Sequence, residues 1–275
     1  MTPYGTRRRR VPRLLTRKAR TLLLLTLLFS GLFYAGWHYR NALAYYFSYR
    51  TNDFSQEQKV HALRNFQVLS NHPGLSVGFD VSQYQGDINW KLADSIDNRF
   101  ALDFVFIRAT AGKDAVDEKF YHNWILSGKT KLLRGAYHYY RPNENSVEQA
   151  QNFIATVKLR KGDLPPVLDI EQIPEEQSMD SLKQGLKRWL RIVEKHYGTK
   201  PIIYTGESFY NDFLREDFGR YDFWIANYNF FIESIDDEWL MWQFSENATI
   251  PGIDGPVDAN IFNGSLDELE GMAKK

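Results

Sequence analysis

The chain has 275 residues, of which 43% are hydrophobic and 15% aromatic, enough for one large folded domain or two small ones. It has no cysteine, which excludes disulfides, thiolate metal ligands and a cysteine nucleophile. Residues 1–50 hold ten Lys or Arg and no acid, so the rest of the chain carries 34 acids against 24 bases, a net charge of −10. A domain of that sign is a poor candidate for nucleic-acid binding.

The N-terminus has the pattern of a membrane anchor. Residues 1–20 form a basic tail with eight Lys or Arg, and residues 21–37 contain no charge. An apolar run of that length is at the lower limit for a transmembrane helix. The excess of bases before it predicts a cytoplasmic tail, with the chain beyond residue 40 on the periplasmic or extracellular side. We therefore expect a single-pass membrane protein that is anchored by residues 21–40 and contacts lipid through residues 21–37.

Two alternatives remain for this segment. The sequence ALA at residues 42–44 could be the cleavage site of a signal peptide, although the apolar run is long for one. The arginine run could instead bind nucleic acid, but the apolar segment directly behind it favours the anchor, and we expect no nucleic-acid partner.

Residues 41–75 are predicted to be a stalk between the anchor and a folded domain. Within this range, residues 53–71 have the pattern of a short polar helix. His72-Pro73-Gly74 then breaks the chain. The folded domain is expected to comprise residues 76–275.

Strands and helices alternate along this domain. Helices are predicted at residues 116–129, 146–158 and 179–198, the last with Gly198 as its stop signal. Such alternation indicates a parallel α/β sheet, and eight apolar strands favour a barrel. Little room for helices remains after residue 222, so the expected fold is an irregular (β/α) TIM-like barrel with reduced outer helices, preceded by the transmembrane helix. The eight predicted strands are residues 76–82, 103–110, 132–140, 165–171, 201–206, 222–228, 240–245 and 256–262.

The ends of these strands carry acidic, aromatic and amide side chains. In a (β/α) barrel the active site lies at the C-terminal ends of the strands. The side chains expected to converge there are Asp80, Tyr137, Tyr139, Asp169, Glu171, Tyr204, Asn227, Tyr228, Gln243, Asp258 and Asn260.

The fourth predicted strand, PPVLDIE, is apolar as far as Leu168 and then ends in two acids, Asp169 and Glu171. Side chains alternate along a strand, so Asp169 and Glu171 share a face, with Cα atoms roughly 6.5 Å apart. Repulsion from Asp80 and Asp258, together with partial burial, should raise the pKa of at least one acid. A carboxyl that stays protonated near neutral pH is what a glycosidase needs to protonate a leaving oxygen. A structural acid cluster and a divalent-cation site are the alternatives.

Eight blocks in order resemble the glycoside hydrolase family 25 lysozymes, the N-acetylmuramidases. The resemblance implies a modified (β/α) barrel that cleaves the β-1,4 bond between N-acetylmuramic acid and N-acetylglucosamine. Its expected partner is the peptidoglycan glycan strand, and no cofactor or metal is expected. The blocks are GFDVSQYQGDINW (78–90), FVFIRATAG (104–112), RGAYHYYRP (134–142), PPVLDIE (165–171), PIIYTG (201–206), WIANY (224–228), MWQFS (241–245) and VDANIF (257–262).

The resemblance also assigns expected roles to individual residues. Glu171 matches the family's proton donor, and Asp169 is the other member of the catalytic carboxylate pair. Asp80 and Asp258 match the acids of the first and last blocks. The expected substrate-binding residues are Tyr137, Tyr204, Trp242 and Gln243, which match cleft positions, and Tyr228, which ends its strand.

Two other classes of function remain open. The barrel could be a glycan-binding module that has lost activity, although its four acids are intact. It could be a metal-dependent hydrolase, which is weakened because no histidine accompanies the acids at the strand ends. His138 alternates with Tyr137 and is therefore expected to face the outside of the barrel.

Overall fold

The structure is a computed structural model that describes residues 16–46 and 56–275. Most of the predicted basic tail (residues 1–15) and part of the predicted stalk (residues 47–55) lie outside the described residues. The helices are α1 (Arg17–His38), α2 (Arg40–Tyr46), α3 (Gln56–Asn71), α4 (Phe120–Ser127), α5 (Ser146–Thr156), α6 (Met179–Tyr197), α7 (Glu207–Phe209) and α8 (Leu266–Met272), with a 3-10 turn at Gln83–Gln85 and a π-helical segment at Tyr210–Leu214.

Eight of the strands close into a barrel. Their order is β1-β11-β10-β9-β8-β7-β6-β4, and pairing of β1 with β4 closes the circle. All eight strands predicted from the sequence are confirmed, whereas the small β2–β3 hairpin and the short β5 were not predicted. The strands are β1 (Ser76–Val81), β2 (Ser95–Ile96), β3 (Phe100–Ala101), β4 (Phe104–Ala111), β5 (Ala115–Val116), β6 (Leu133–Tyr139), β7 (Val167–Asp169), β8 (Ile202–Gly206), β9 (Phe223–Ala226), β10 (Met241–Ala248) and β11 (Val257–Phe262).

The last strand corrects the expectation of an all-parallel barrel. β11 runs antiparallel to both of its neighbours, β10 and β1. The connection from β10 to β11 contains no helix, and it is shorter than the dozen or so residues that a parallel crossover needs. The chain therefore turns back on itself, and the strand that brings Asp258 reaches the mouth of the barrel at its N-terminal end.

The barrel interior has an apolar floor below a polar mouth. Along β7, Val167 lies in the floor and Asp169 faces the mouth, which is the alternation expected for one inward face. Packing of the floor is thus what holds the strand ends in register. The fully or nearly fully buried floor residues are Phe104, Phe106, Val167, Ile202, Trp224, Met241 and Phe262.

The outer helices pack around the barrel as the hydrophobic pattern predicts. All three predicted helices of the domain are present, and α6 is the longest of these. Ser178 caps its N-terminus by accepting a hydrogen bond from the Ser181 amide. Gly198 ends it with φ of 71°, a left-handed conformation that favours glycine.

The helix predicted as part of a stalk is packed against the barrel. Val68 and Leu69 of α3 belong to the main hydrophobic core. Arg64 donates to the backbone carbonyl of Phe244 in β10 at 2.8 Å, and Asn65 donates to the carbonyl of Asn247 at 3.1 Å. The sequence of this helix looks polar, and it was therefore predicted to be a spacer. Its polar side chains Arg64 and Asn65 are in fact buried, where they donate hydrogen bonds to carbonyls of the barrel.

The N-terminal helix α1 is long and apolar enough to cross a bilayer. It spans 22 residues, and an 18-residue window within it has a mean hydropathy of 1.5. None of that window is buried against the other residues that the structure describes. The predicted apolar run of residues 21–37 lies entirely inside this helix.

A substitution of Gly135 in β6 can test how tightly the barrel floor is packed. A Cβ atom at this position would overlap Cε1 of the buried Phe106 ring. We expect Gly135→Ala to lower the free energy of unfolding by about 1–3 kcal/mol, since the ring would have to shift in a full core. Urea unfolding followed by tryptophan fluorescence measures this change.

The matched control is Gly271→Ala in α8, where an added Cβ meets nothing within 4 Å. This variant should stay within about 1 kcal/mol of the wild type. Equal unfolding midpoints for the two variants would contradict the tight packing of the floor.

Candidate active site

A pocket lies at the mouth of the barrel, where the C-terminal ends of the parallel strands meet. Eight of the nine residues that were assigned a catalytic or substrate-binding role from the sequence line it, whereas Tyr139, Asn227 and Asn260, which were also expected at the strand ends, do not. The pocket also includes three residues that were not predicted, namely Val167, Trp224 and Glu246. The predicted residues that line it are Asp80, Tyr137, Asp169, Glu171, Tyr204, Tyr228, Gln243 and Asp258.

Trp242 is the predicted site residue that the structure places elsewhere. Its side chain is fully buried in the core outside the barrel, and its indole N–H donates to the carbonyl of Asn227 at 2.8 Å. Because Gln243 points into the barrel, its neighbour in the strand must point out. The prediction that Trp242 contacts substrate is therefore wrong. The tryptophan of the pocket is Trp224, which the same alternation could have identified.

Asp80 is the centre of a buried hydrogen-bond network. Its Oδ2 accepts from Nε2 of Gln243 at 2.7 Å and from Nδ2 of Asn260 at 2.8 Å. The amide of Asn260 is itself oriented by Trp224, whose indole N–H donates to Oδ1 at 2.9 Å. Side chains from β1, β9, β10 and β11 thus fix the position of one carboxylate.

Two phenols complete this network from the opposite side of Gln243. The hydroxyl of Tyr204 donates to Oε1 of Gln243 at 2.7 Å, and the hydroxyl of Tyr228 donates to the same oxygen. Since both phenolic protons are directed at Gln243, the phenol oxygens retain lone pairs that can accept hydrogen bonds in the pocket. Burial raises the pKa of both phenols, so they stay protonated.

Asp80 and Asp258 have raised pKa values and hydrogen-bond to each other. Burial raises the pKa of Asp80 to about 7, against the opposing effect of its two amide donors. Burial, followed by the charge of Asp80, raises the pKa of Asp258 to about 8. Two carboxyls that cannot both ionise in a buried site share one proton near neutral pH.

Asp169 and Glu171 form a second pair at the end of β7. Burial and then the charge of Glu171 hold the pKa of Asp169 well above its usual range, and the two side chains hydrogen-bond to each other. Asp169 is buried, whereas Glu171 is exposed at the mouth. The expectation that crowding raises the pKa of at least one acid is confirmed.

Arg108 supplies positive charge beside these acids. Its Nε donates to Oδ2 of Asp117 at 2.9 Å, and its guanidinium lies 4.8 Å from the ring centre of Tyr84. Its charge acts against the rise in the pKa of Asp169. Its place on the inward face follows from Phe104 and Phe106 by strand alternation, a signal that the sequence contained.

Glu246 is a pocket residue that strand alternation could not place. Counting in steps of two from Gln243 would point Ser245 inward and Glu246 outward. The register of β10 shifts between Gln243 and Ser245, as in a β-bulge, and this reverses the alternation. Glu246 therefore lines the pocket, where its charge contributes to the raised pKa of Asp258.

His138 lies outside the barrel, as expected. It is fully buried between Thr110, at 2.7 Å from Nδ1, and Gln149, at 3.1 Å from Nε2, and its ring stacks on Trp189. Burial lowers its pKa to about 3, so the ring is neutral. Among residues 16–46 and 56–275, no group of three or more His, Asp or Glu is arranged to hold a metal ion.

Comparisons with known proteins agree on one family. The model of the Glycosyl hydrolases family 25 matches residues 79–253. The chain is 43% identical to the protein YegX of Escherichia coli strain CFT073 over 71% of this chain and 72% of that protein. It is 31% identical to Lysozyme M1 of Streptomyces globisporus over 71% of this chain and 70% of that protein.

Solved structures give the same result. A family 25 glycosyl hydrolase from Bacillus anthracis has a TM-score of 0.65 at 31% identity, covering 72% of this chain and 93% of that one. A bacterial lysozyme from Streptomyces coelicolor has a TM-score of 0.66 at 28% identity, covering 74% of this chain and 99% of that one.

The raised pKa of Asp258 predicts how stability depends on pH. Between its ordinary value of 3.8 and about 8, the folded protein binds more protons at this site than the unfolded chain does. The free energy of unfolding therefore falls as the pH rises through this range. We expect Asp258→Asn to be more stable than the wild type by about 2 kcal/mol near pH 8, with the difference lost near pH 4. Urea unfolding at both pH values measures this.

Asp254→Asn is the matched control, because the side chain of Asp254 is exposed in the loop that leads into β11. It should follow the wild type at both pH values. A stability gain for Asp258→Asn that is equal at both values would show that the effect is not a titration of this carboxyl.

Proposed function

We propose that this chain, which belongs to glycosyl hydrolase family 25, is a lysozyme acting on peptidoglycan. The bond cleaved is the β-1,4 linkage between N-acetylmuramic acid and N-acetylglucosamine. The observation that carries the proposal is the hydrogen-bonded pair of Asp169 and Glu171 in an acid-lined pocket. Such a pair keeps a proton available in a site that also holds negative charge, as acid-catalysed glycoside cleavage requires.

Glu171 is the proton donor in this proposal. It is the exposed member of the pair, so a glycosidic oxygen in the pocket can reach it. Transfer of the proton to that oxygen breaks the bond to the anomeric carbon and releases the leaving sugar as an alcohol. The leaving group then carries no charge that the acidic pocket would repel.

Asp169 provides the negative partner for the positive charge that develops at the anomeric carbon. Once the shared proton has left through Glu171, Asp169 can ionise in its buried position. Its charge then stabilises the sugar cation, directly or through the acetamido group of the substrate, until the oxygen of a water molecule bonds to the anomeric carbon and the proton of that water returns to the carboxyl pair. Among the described residues, the buried Oδ1 of Asp169 has no hydrogen-bond partner, so no donor there offsets the charge that develops on it.

The network around Asp80 positions the substrate. Tyr204 and Tyr228 present phenol oxygens that can accept hydrogen bonds from sugar N–H or O–H groups, because their own protons are bound to Gln243. Tyr137 lines the same pocket. The proton shared by Asp80 and Asp258 keeps this side of the pocket from carrying a second full charge. Phenols and carboxyls together match a polar sugar ring better than an apolar ligand.

The N-terminal helix is proposed to be a signal anchor. It would hold the barrel on the periplasmic or extracellular face of a membrane, with the N-terminus in the cytoplasm, in keeping with the bases before residue 21. The enzyme would then act on peptidoglycan from a membrane-bound position.

Glu171→Gln tests the role of the acid. We expect it to lower peptidoglycan cleavage by at least about 100-fold, because an amide cannot donate the proton, while the unfolding midpoint stays near that of the wild type. Release of reducing ends from purified peptidoglycan measures the rate. Borohydride reduction followed by mass spectrometry identifies the new end, which should be N-acetylmuramic acid.

Glu175→Gln is the matched control, since Glu175 is an exposed glutamate on the same segment that does not line the pocket. It should keep wild-type activity. Turnover retained by Glu171→Gln would remove Glu171 from the acid role, and N-acetylglucosamine at the new end would contradict the proposed bond.

Wild-type cleavage with and without EDTA addresses the other classes of function. Carboxyl catalysis should give the same rate in both conditions. Loss of activity in EDTA that added Mg²⁺ restores would favour a metal-dependent hydrolase, and binding of glycan without cleavage would favour a binding module.

A further inference from the structure

The loop between β9 and β10 carries the most exposed large hydrophobic side chain among the described residues. Phe231 is 85% exposed, and Phe230 beside it is 40% exposed. Their rings lie edge to face with centres 5.8 Å apart. A phenyl ring has no polar atom that can hydrogen-bond to water. Two adjacent exposed rings therefore indicate a surface that contacts an apolar partner.

This loop is bonded directly to the end of the apolar helix α1. The carboxylate of Glu233 accepts a hydrogen bond from the Tyr39 hydroxyl at 2.6 Å and lies 3.0 Å from Nε2 of His38. The two partners are the last residue of α1 and the residue that follows it. Phe231 lies within about 7 Å of Glu233 between Cα atoms, since two residues cannot span more.

The loop is also held by α3, so that its position is defined on two sides. Arg64 donates to the carbonyls of Asn229 at 2.9 Å and Ile232 at 3.2 Å. Gln67 and Asn71 each donate to Glu233, at 3.4 and 3.3 Å. Six described contacts thus fix the loop that carries the two phenyl rings to the helices that precede the barrel.

The neighbouring end of α1 has the composition of a membrane interface. Tyr34 and Trp37 are 64% and 57% exposed there. Aromatic side chains of this kind are enriched where transmembrane helices leave the hydrocarbon region. The loop is therefore fastened at the level where the helix would leave the bilayer.

We propose that Phe230 and Phe231 form a second membrane contact, inserted in the interface of the bilayer that α1 spans. The inference rests on the proposed signal anchor. Two observations favour the bilayer as the partner of these rings. The loop is hydrogen-bonded to the end of α1, and the two rings carry no polar atoms. Because Tyr228 of the pocket is only two residues before Phe230, this contact holds the pocket close to the membrane surface. The glycan strands nearest the membrane are then the substrate within reach.

The absence of cysteine allows a direct test with single nitroxide labels. The full chain is reconstituted in phosphatidylethanolamine–phosphatidylglycerol vesicles after Phe231→Cys, Leu28→Cys or Tyr121→Cys. Leu28 lies within α1, and Tyr121 is a 57% exposed aromatic on α4. Accessibility of each label to oxygen and to a water-soluble nickel complex gives its depth.

We expect the label at position 231 to be shielded from the nickel complex and to lie at a depth between those of the other two. A label at 231 as accessible as the one at 121, while position 28 stays in lipid, would overturn the inference and leave the anchor intact. A water-accessible label at 28 would overturn both the anchor and this inference, and neither result depends on whether the protein cleaves peptidoglycan.

A second variant tests the hydrogen bonds of Glu233 independently of the phenyl rings. Glu233→Ala removes the acceptor for Tyr39, Gln67 and Asn71 but leaves the two bonds from Arg64 to the loop backbone. In this background the label at 231 should therefore become more accessible to nickel than it is with Glu233 in place. If the label at 231 is equally shielded from nickel in this background, the hydrogen bonds of Glu233 do not hold the loop at the membrane.

Soluble peptidoglycan fragments test the competing occupant. In detergent without vesicles, they should leave the mobility of the label at 231 unchanged, and Phe231→Ser should cleave them at the wild-type rate. Immobilisation of the label by fragments, or loss of cleavage in Phe231→Ser, would show that the rings meet the glycan and would overturn the proposal.

Discussion

The structure depends on placing several carboxyl groups in one pocket at the mouth of the barrel. Asp80 and Asp169 are almost fully buried there, so a charge on either of them must be shared with a proton, paired or hydrogen-bonded. Asp80 meets this requirement through Gln243 and Asn260, and it shares a proton with Asp258. The network thus lowers the free-energy cost of burying these carboxyl groups. It also keeps some of them protonated, so that the pocket holds protons that a reaction can use.

The closed barrel is what makes this arrangement possible. Its floor of aromatic and aliphatic side chains excludes water from below, and the inward face of each strand becomes polar only at the mouth. Val167 and Asp169 illustrate the change within a single strand. The irregular features, the antiparallel β11 and the bulge in β10, both act at this mouth, because they bring Asp258 and Glu246 to it.

Much of the fold could be predicted because hydrophobic periodicity and turn residues are local signals. The eight barrel strands and the helices between the earlier ones follow from them. Most site residues followed from strand alternation and from the family resemblance, as for Tyr204 and Gln243. Trp242 was misplaced although alternation contradicted it, since it cannot share a face with its neighbour. The packing of α3 on the barrel was missed because Arg64 finds its partners in distant backbone carbonyls.

The strands, the acids at their ends and the apolar helix could be read from the amino-acid sequence, since each depends on residues close together in the chain. Which acids share protons depends on the folded barrel, because burial and the distance between separate strands set their pKa values. The folded barrel also decides that Glu246 enters the pocket, through a register shift with no local signature. The same holds for Glu233, whose bonds to Tyr39 and Asn71 join segments more than 160 residues apart.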